Sequence, residues 1–160
     1  MAKVIMTCGR LCSGKTTYAA ELRERYNAVV LSIDELMIEI LGRDLGNMHD
    51  EYARRTEQYL YKKSTEIAAA GTNVIFDTGL WTRQGRDYAK QYYSSRGIDC
   101  ELHYIRISDE EWQRRIDKRN AEVKAGRSDA YFVDEGLAEK FRSLFEEPDE
   151  SEVDFIVEEQ

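Results

Sequence analysis

Gly9-Arg10-Leu11-Cys12-Ser13-Gly14-Lys15-Thr16 has the spacing Gly-x-x-x-x-Gly-Lys-Thr, and the rest of the chain is best read outward from it. Before it lies an apolar run, Val4 to Cys8, that reads as a buried strand. After it Thr16 to Tyr26 reads as a helix, with Tyr18, Leu22 and Tyr26 along one face. Glycines at these places let the backbone curl so that successive N–H groups point at one spot. The positive end of the helix dipole adds to them. A strand, such a loop and a helix in this order make a cradle for phosphate. Its contributors are Gly9, Cys12, Ser13, Gly14, Lys15, Thr16 and Thr17. Lys15 is expected to reach the outer phosphates of a nucleotide, and the Thr16 hydroxyl to ligate Mg²⁺.

Further along, short apolar runs alternate with helical patterns. Ala28 to Ser32, Asn73 to Asp77, Cys100 to Ile107 and, more briefly, Val153 to Val157 read as strands. Asp50 to Ala70 reads as a long helix with a stripe of Tyr52, Thr56, Tyr59, Leu60, Lys63 and Ile67. Thr82 is placed as the N-cap of a helix reaching about Arg96. Ser108 and Glu111 form a capping box at the start of another, and Asp134 to Phe145 turns Leu137, Phe141, Leu144 and Phe145 inward. Strands alternating with helices indicate parallel βαβ units and a three-layer α/β domain. The acidic run Glu146 to Glu152 reads as a solvated loop.

The 160 residues suit one domain, 1–160, with a core of its own. A net charge of −8 weighs against a duplex-tracking protein, so nucleic acid is not an expected partner. No apolar stretch approaches the roughly 20 residues that span a bilayer. Three cysteines without paired spacing fit a reducing compartment, and a cytoplasmic location is expected. Two distant histidines argue against a zinc cluster, and nothing points to a partner protein.

Two acids stand at strand ends, where open α/β sheets bind ligands. Asp34 follows Val29-Val30-Leu31-Ser32-Ile33, and Asp77 closes Val74-Ile75-Phe76. One such acid can take a proton from an attacking hydroxyl and the other can serve Mg²⁺. Asp34 also suits a helix N-cap and Asp77 a turn before Thr78 and Gly79. A GTPase would carry Asn-Lys-x-Asp or Thr-Lys-x-Asp late in the chain; neither occurs, which favours ATP.

Gly9 to Thr17, Leu31-Ser32-Ile33-Asp34 and Val74-Ile75-Phe76-Asp77-Thr78 together resemble the P-loop kinases grouped with zeta toxin, chloramphenicol phosphotransferase and the kinase domain of polynucleotide kinase. The resemblance implies a five-stranded parallel sheet in order 2-3-1-4-5 and transfer of the ATP γ-phosphate to a hydroxyl, with Asp34 as base. It also implies that the helix carrying Arg115 and Arg119 is a lid, one arginine neutralising the moving phosphoryl group and another stacking on adenine. Two positions depart from the pattern. Met37 stands where polynucleotide-directed members have Arg, and Leu80 where Asn is frequent. Arg86 matches an arginine often found beyond the third strand. The expected activity is therefore an ATP-dependent kinase acting on a small-molecule hydroxyl. A nucleoside or nucleotide kinase of the same fold and a non-catalytic ATP-binding regulator are the alternatives.

Overall fold

The computed structural model describes residues 1–128 and 130–159. Five parallel strands form one sheet in the order β2-β3-β1-β4-β5: β1 is Lys3–Cys8, β2 Val29–Ser32, β3 Val74–Asp77, β4 Asp99–Ile107 and β5 Phe155–Glu159. Around it lie α1 (Lys15–Tyr26), α2 (Ile33–Leu41), α3 (His49–Ala69), α4 (Arg83–Ser94), α5 (Asp109–Lys124) and α6 (Glu135–Leu144). This is the three-layer P-loop arrangement expected from the sequence. Among the described residues no helix is long and apolar enough to cross a membrane.

Alternation along the strands sorts side chains to the two faces. Val4, Met6, Val74, Phe76, Leu102 and Tyr104 pack with Leu60 and Tyr61 of α3 and Ala89 and Tyr93 of α4. Ile5 and Ile75 face the other way, onto Ala19 and Leu22 of α1. A smaller cluster, Ile107, Trp112, Ile116, Val133 and Ala138, fastens α5 and α6 beside the glycine-rich loop.

Some local expectations shift. The buried face of α3 is Leu60, Tyr61, Ser64 and Ala68, while Tyr59 is exposed. The hydroxyl of Ser64 meets that of Tyr93 at 2.6 Å, so a polar residue occupies the inner face that the apolar stripe passes beside. In α6 it is Ala138 that is buried and Leu144 that is exposed. Half of the capping box forms: Ser108 Oγ accepts from the Glu111 amide at 3.2 Å. The Glu111 carboxylate turns instead to Arg114 and Arg115, at 2.7 and 2.8 Å, and these hold it down to about 2. Ser32, not Asp34, is the N-cap of α2.

The acidic stretch 146–152 is not simply solvated. Glu152 is buried, and its carboxylate meets the buried Arg86 guanidinium at 3.1 Å. Arg86 Nη1 also donates to the carbonyls of Leu80 and Glu146, at 3.0 and 2.9 Å. The turn after β3, in which Leu80 adopts a left-handed φ of 44°, is thereby bound to the C-terminal segment. That same turn supplies the Gly79 carbonyl that accepts the Gly9 amide at 3.1 Å. Arg86 and the Gly9 amide are thus bonded to adjacent carbonyls of one turn.

His103 is buried on the α1 side of β4. Tyr18 Oη lies 2.8 Å from its Nδ1 and Glu101 3.1 Å from its Nε2, and Glu101 is also bound to Lys3. These contacts suit the neutral ring with its proton on Nε2, and burial pushes its pKa below the ordinary value against the raising pull of Glu101. An unfolded chain therefore takes up a proton that the folded one resists. Stability should be full above about pH 6.5 and fall as the pH drops below it, by at most about 1.4 kcal/mol per pH unit. The depressed Glu101 carboxyl acts in the same sense, but only nearer the ordinary carboxylate range. Thermal melts between pH 7.5 and 5 check this: His103→Gln should flatten the upper part of the profile, and an unchanged slope would contradict the assignment.

Candidate active site

The loop between β1 and α1 is shaped by the two glycines. A Cβ on Gly9 would come within 2.8 Å of the Ile105 carbonyl oxygen and of Ser13 Oγ, so only glycine fits. Gly14 caps α1 with a φ of 99°, a left-handed geometry that favours glycine. Lys15 folds back over the loop, donating to the carbonyls of Gly9 and Arg10 at 3.0 and 2.5 Å. Burial pushes its ammonium below the ordinary lysine value, and the carboxylates of Asp77 and Asp34 oppose that shift. Ser13 Oγ is buried without a hydrogen-bond partner.

Asp77 is fixed by two hydroxyls. Thr7 Oγ1 donates to Oδ1 at 3.1 Å and Thr16 Oγ1 to Oδ2 at 2.9 Å. Thr7 also holds the Thr78 backbone, accepting its amide at 3.1 Å. A threonine hydroxyl beside a carboxylate is an all-oxygen donor pair of the kind hard cations take. Among the described residues no three His, Cys, Asp or Glu side chains gather to form a metal cage. Thr16 and Asp77 are the residues that would hold a Mg²⁺ ion here, a hard cation that takes oxygen ligands.

Asp34 lies in the first turn of α2, lines the same pocket and makes no hydrogen bond with the described residues. The pocket measures about 810 Å³ and brings together all the expected site residues except Gly9, which underlies the loop: Cys12 to Thr17, Asp34, Asp77, Arg115 and Arg119. The arginines are aimed by their neighbours. Trp112 Nε1 donates to the Leu11 carbonyl at 2.7 Å, and Trp112 and Ile116 are buried, which leaves the other side of α5 toward the pocket. Arg115 binds Glu111, the surface pairing typical of helices, while Arg119 reaches Cys12 Sγ at 3.3 Å and the Tyr131 carbonyl at 3.2 Å.

Several residues that line or support the pocket had no sequence signal. Asn120 makes a two-way amide bond with the Val133 backbone, at 2.6 and 2.8 Å, and so folds the segment after α5 over the pocket. Tyr131 then donates to the Arg43 carbonyl at 2.8 Å, joining that segment to the turn after α2. Trp81 and Phe141 meet edge to face at 5.3 Å and form another wall. Met37, noted in the sequence only for not being arginine, is buried on the pocket's inner side.

The AAA-domain family model matches residues 4–148. The chain belongs to that family. No curated protein matches it. Among solved structures, a sugar kinase from Janibacter sp. HTCC2649 is 16% identical, with a TM-score of 0.66, over 99% of this chain and 86% of that one. APS kinase from Mycobacterium tuberculosis, in complex with AMPPNP and APS, is 22% identical with a TM-score of 0.70, over 98% and 88%. Kti12 from Chaetomium thermophilum in complex with ADP-AlF3 is 19% identical with a TM-score of 0.71, again over 98% and 88%. At such identities the likeness is one of fold, and the fold is the P-loop NTPase one.

Proposed function

We propose that this protein transfers the γ-phosphate of ATP to a hydroxyl group of a small molecule. The observation that carries the reading is the Asp34 carboxylate. It has no hydrogen bond to the described residues, and it shares one pocket with a cation–hydroxyl–carboxylate set, Lys15, Thr16 and Asp77. A protein that only bound nucleotide would need no acid there.

In this reading the amides of the loop and the Lys15 ammonium hold the phosphates. Thr16, with Asp77 behind it, would hold Mg²⁺, which would supply charge neutralisation at the phosphate oxygens. Asp34 accepts the acceptor's hydroxyl proton as the new O–P bond forms and the bond from the γ-phosphorus to the bridging oxygen breaks, leaving ADP. Arg119, and Arg115 on release from Glu111, supply positive charge to the moving phosphoryl group. Met37 and the net charge of −8 favour a small acceptor over a polynucleotide. The test is ADP release with ATP and Mg²⁺ across a library of hydroxyl compounds, with RNA and DNA ends alongside. Stimulation by a small alcohol supports the proposal, while salt-sensitive end labelling would place the acceptor among nucleic acids.

The metal role separates from the base role. Asp77→Asn keeps the size of the side chain and one of the two oxygens that accept from Thr7 and Thr16, and removes charge beside a hard cation. The Mg²⁺ concentration for half-maximal rate should rise several-fold, while Asp34→Asn leaves it unchanged. A Mg²⁺ titration of both variants that gave the reverse pattern would exchange the two assignments.

A further inference from the structure

From Val4 to Cys8 the strand β1 is buried, and Thr7 alone brings a hydroxyl into that run, at 0% exposure. Alternation puts Thr7 on the same face as Ile5, toward α1, and Asp77 on the same face as Ile75. The register of β1 with β3 sets Met6 opposite Phe76, which brings Thr7 beside Asp77 one position further on. Both stand at the carboxyl edge of the sheet, where α1 begins and carries Thr16.

A buried hydroxyl needs partners, and Thr7 has three. Its Oγ1 accepts the Thr78 amide at 3.1 Å, and its single proton is shared between Asp77 Oδ1 at 3.1 Å and the Thr78 carbonyl at 3.0 Å. Thr16 donates to the other carboxylate oxygen at 2.9 Å. A chain of hydrogen bonds thus runs from the Thr78 backbone through Thr7 and Asp77 to Thr16. An ionised carboxylate only accepts, so the Thr16 proton is turned to Asp77 and the lone pairs of that hydroxyl are left for a cation. Asp77 can hold this orientation only while its own plane is fixed, and the terminal torsion of an aspartate is broad. Lys15 does not fix it, because its ammonium donates to the Gly9 and Arg10 carbonyls. Thr7 does, from within a core strand.

Resting on the Mg²⁺ assignment in the reading above, we infer that Thr7 is a positioning residue for the metal. It sets the plane of the Asp77 carboxylate and, through it, the lone pairs that Thr16 offers to Mg²⁺. Thr7 does not line the pocket, so it reaches the cation only through Asp77 and Thr16.

The experiment reads binding rather than turnover. The affinity for a non-hydrolysable ATP analogue is measured by calorimetry with Mg²⁺ and with EDTA, and the ratio of the two gives the tightening due to the metal. Thr7→Val keeps the shape and removes the hydroxyl. It should cut the ratio by about 10-fold, the lower end of the loss when a partner of a metal ligand is removed, and leave the affinity in EDTA near native. Thr7→Ser keeps the hydroxyl and loses a methyl group, and its ratio should stay near native. Thr7→Cys, whose thiol is a weak donor, should also cut the ratio and serves if the valine variant does not fold. Added to Asp77→Asn, Thr7→Val should bring no further loss, because the route through Asp77 is already broken. An unchanged ratio in folded Thr7→Val or Thr7→Cys, a loss in Thr7→Ser as large as in Thr7→Val, or additive losses in the double variant would overturn the inference. A native ratio of one overturns the Mg²⁺ assignment, and this inference with it. Transfer to an alcohol is read separately by ADP release, so failure of the phosphotransfer reading and failure here are distinct.

Discussion

Asp34→Asn is expected to lower turnover with any accepted alcohol by about 10²–10⁴-fold, the usual loss when a general base is removed. The substitution keeps the shape of the side chain. Asp34 is exposed in the first turn of α2 and is not the cap, which is Ser32. The fold should therefore be untouched, and the melting temperature should move little. The affinity for a non-hydrolysable ATP analogue should also stay close to that of the native protein, because the phosphate cradle lies on the Lys15 side. A steady-state assay paired with calorimetric titration separates the two quantities. Full turnover in Asp34→Asn would remove it from the chemistry.

Lys15→Ala is expected to do the reverse at the binding step and to harm the chemistry as well. Lys15 is the half-buried cation of the loop, within electrostatic reach of the carboxylates of Asp77 and Asp34. Its removal takes away a charge-assisted contact, a bond type that contributes about 1.5–3 kcal/mol, or roughly 10- to 150-fold in affinity. It also leaves two carboxylates facing incoming phosphates without a neighbouring cation. Turnover should fall further, by about 10²–10³-fold, since the charge that Lys15 stabilises is greatest in the transition state. Titration of the folded variant with the MgATP analogue checks the first effect and single-turnover kinetics the second. Unchanged affinity would mean that the backbone alone holds the phosphates.

What the sequence revealed and what it hid divide along a physical line. The phosphate loop was legible because its requirements are local. Gly9 is needed where a Cβ would strike Ile105 and Ser13, Gly14 where φ is positive, and Lys15 and Thr16 follow at once in the chain. Alternating strands and helices made the layers legible, and the family resemblance supplied the strand order. Asp34 and Asp77 could be found because they lie where strands end.

The supports of the site were not legible, because their partners are set by packing between distant segments. Arg86 matches a familiar position, yet nothing in the sequence says that it lies beneath Leu80 and meets Glu152. An acidic run such as 146–152 looks solvated until a buried guanidinium draws one of its members inward. His103 gave no sign of Tyr18, nor Tyr131 of Arg43. The α3 stripe placed Leu60 and Ile67 on the core side but missed in part for a related reason. Tyrosine scores as apolar on a helix face, but its hydroxyl suits solvent, so Tyr59 stays outside while Ser64 goes in with Tyr93 as its partner.

The most direct measurement follows the γ-phosphate itself. The protein is incubated with γ-labelled ATP, Mg²⁺ and the best alcohol of the library, and the label is partitioned between a phosphate monoester and inorganic phosphate, for native protein and Asp34→Asn in parallel. Label in the monoester for the native protein, falling by at least about 10²-fold in Asp34→Asn, is the predicted result. Label appearing only as inorganic phosphate, at the same rate in both proteins, would contradict it.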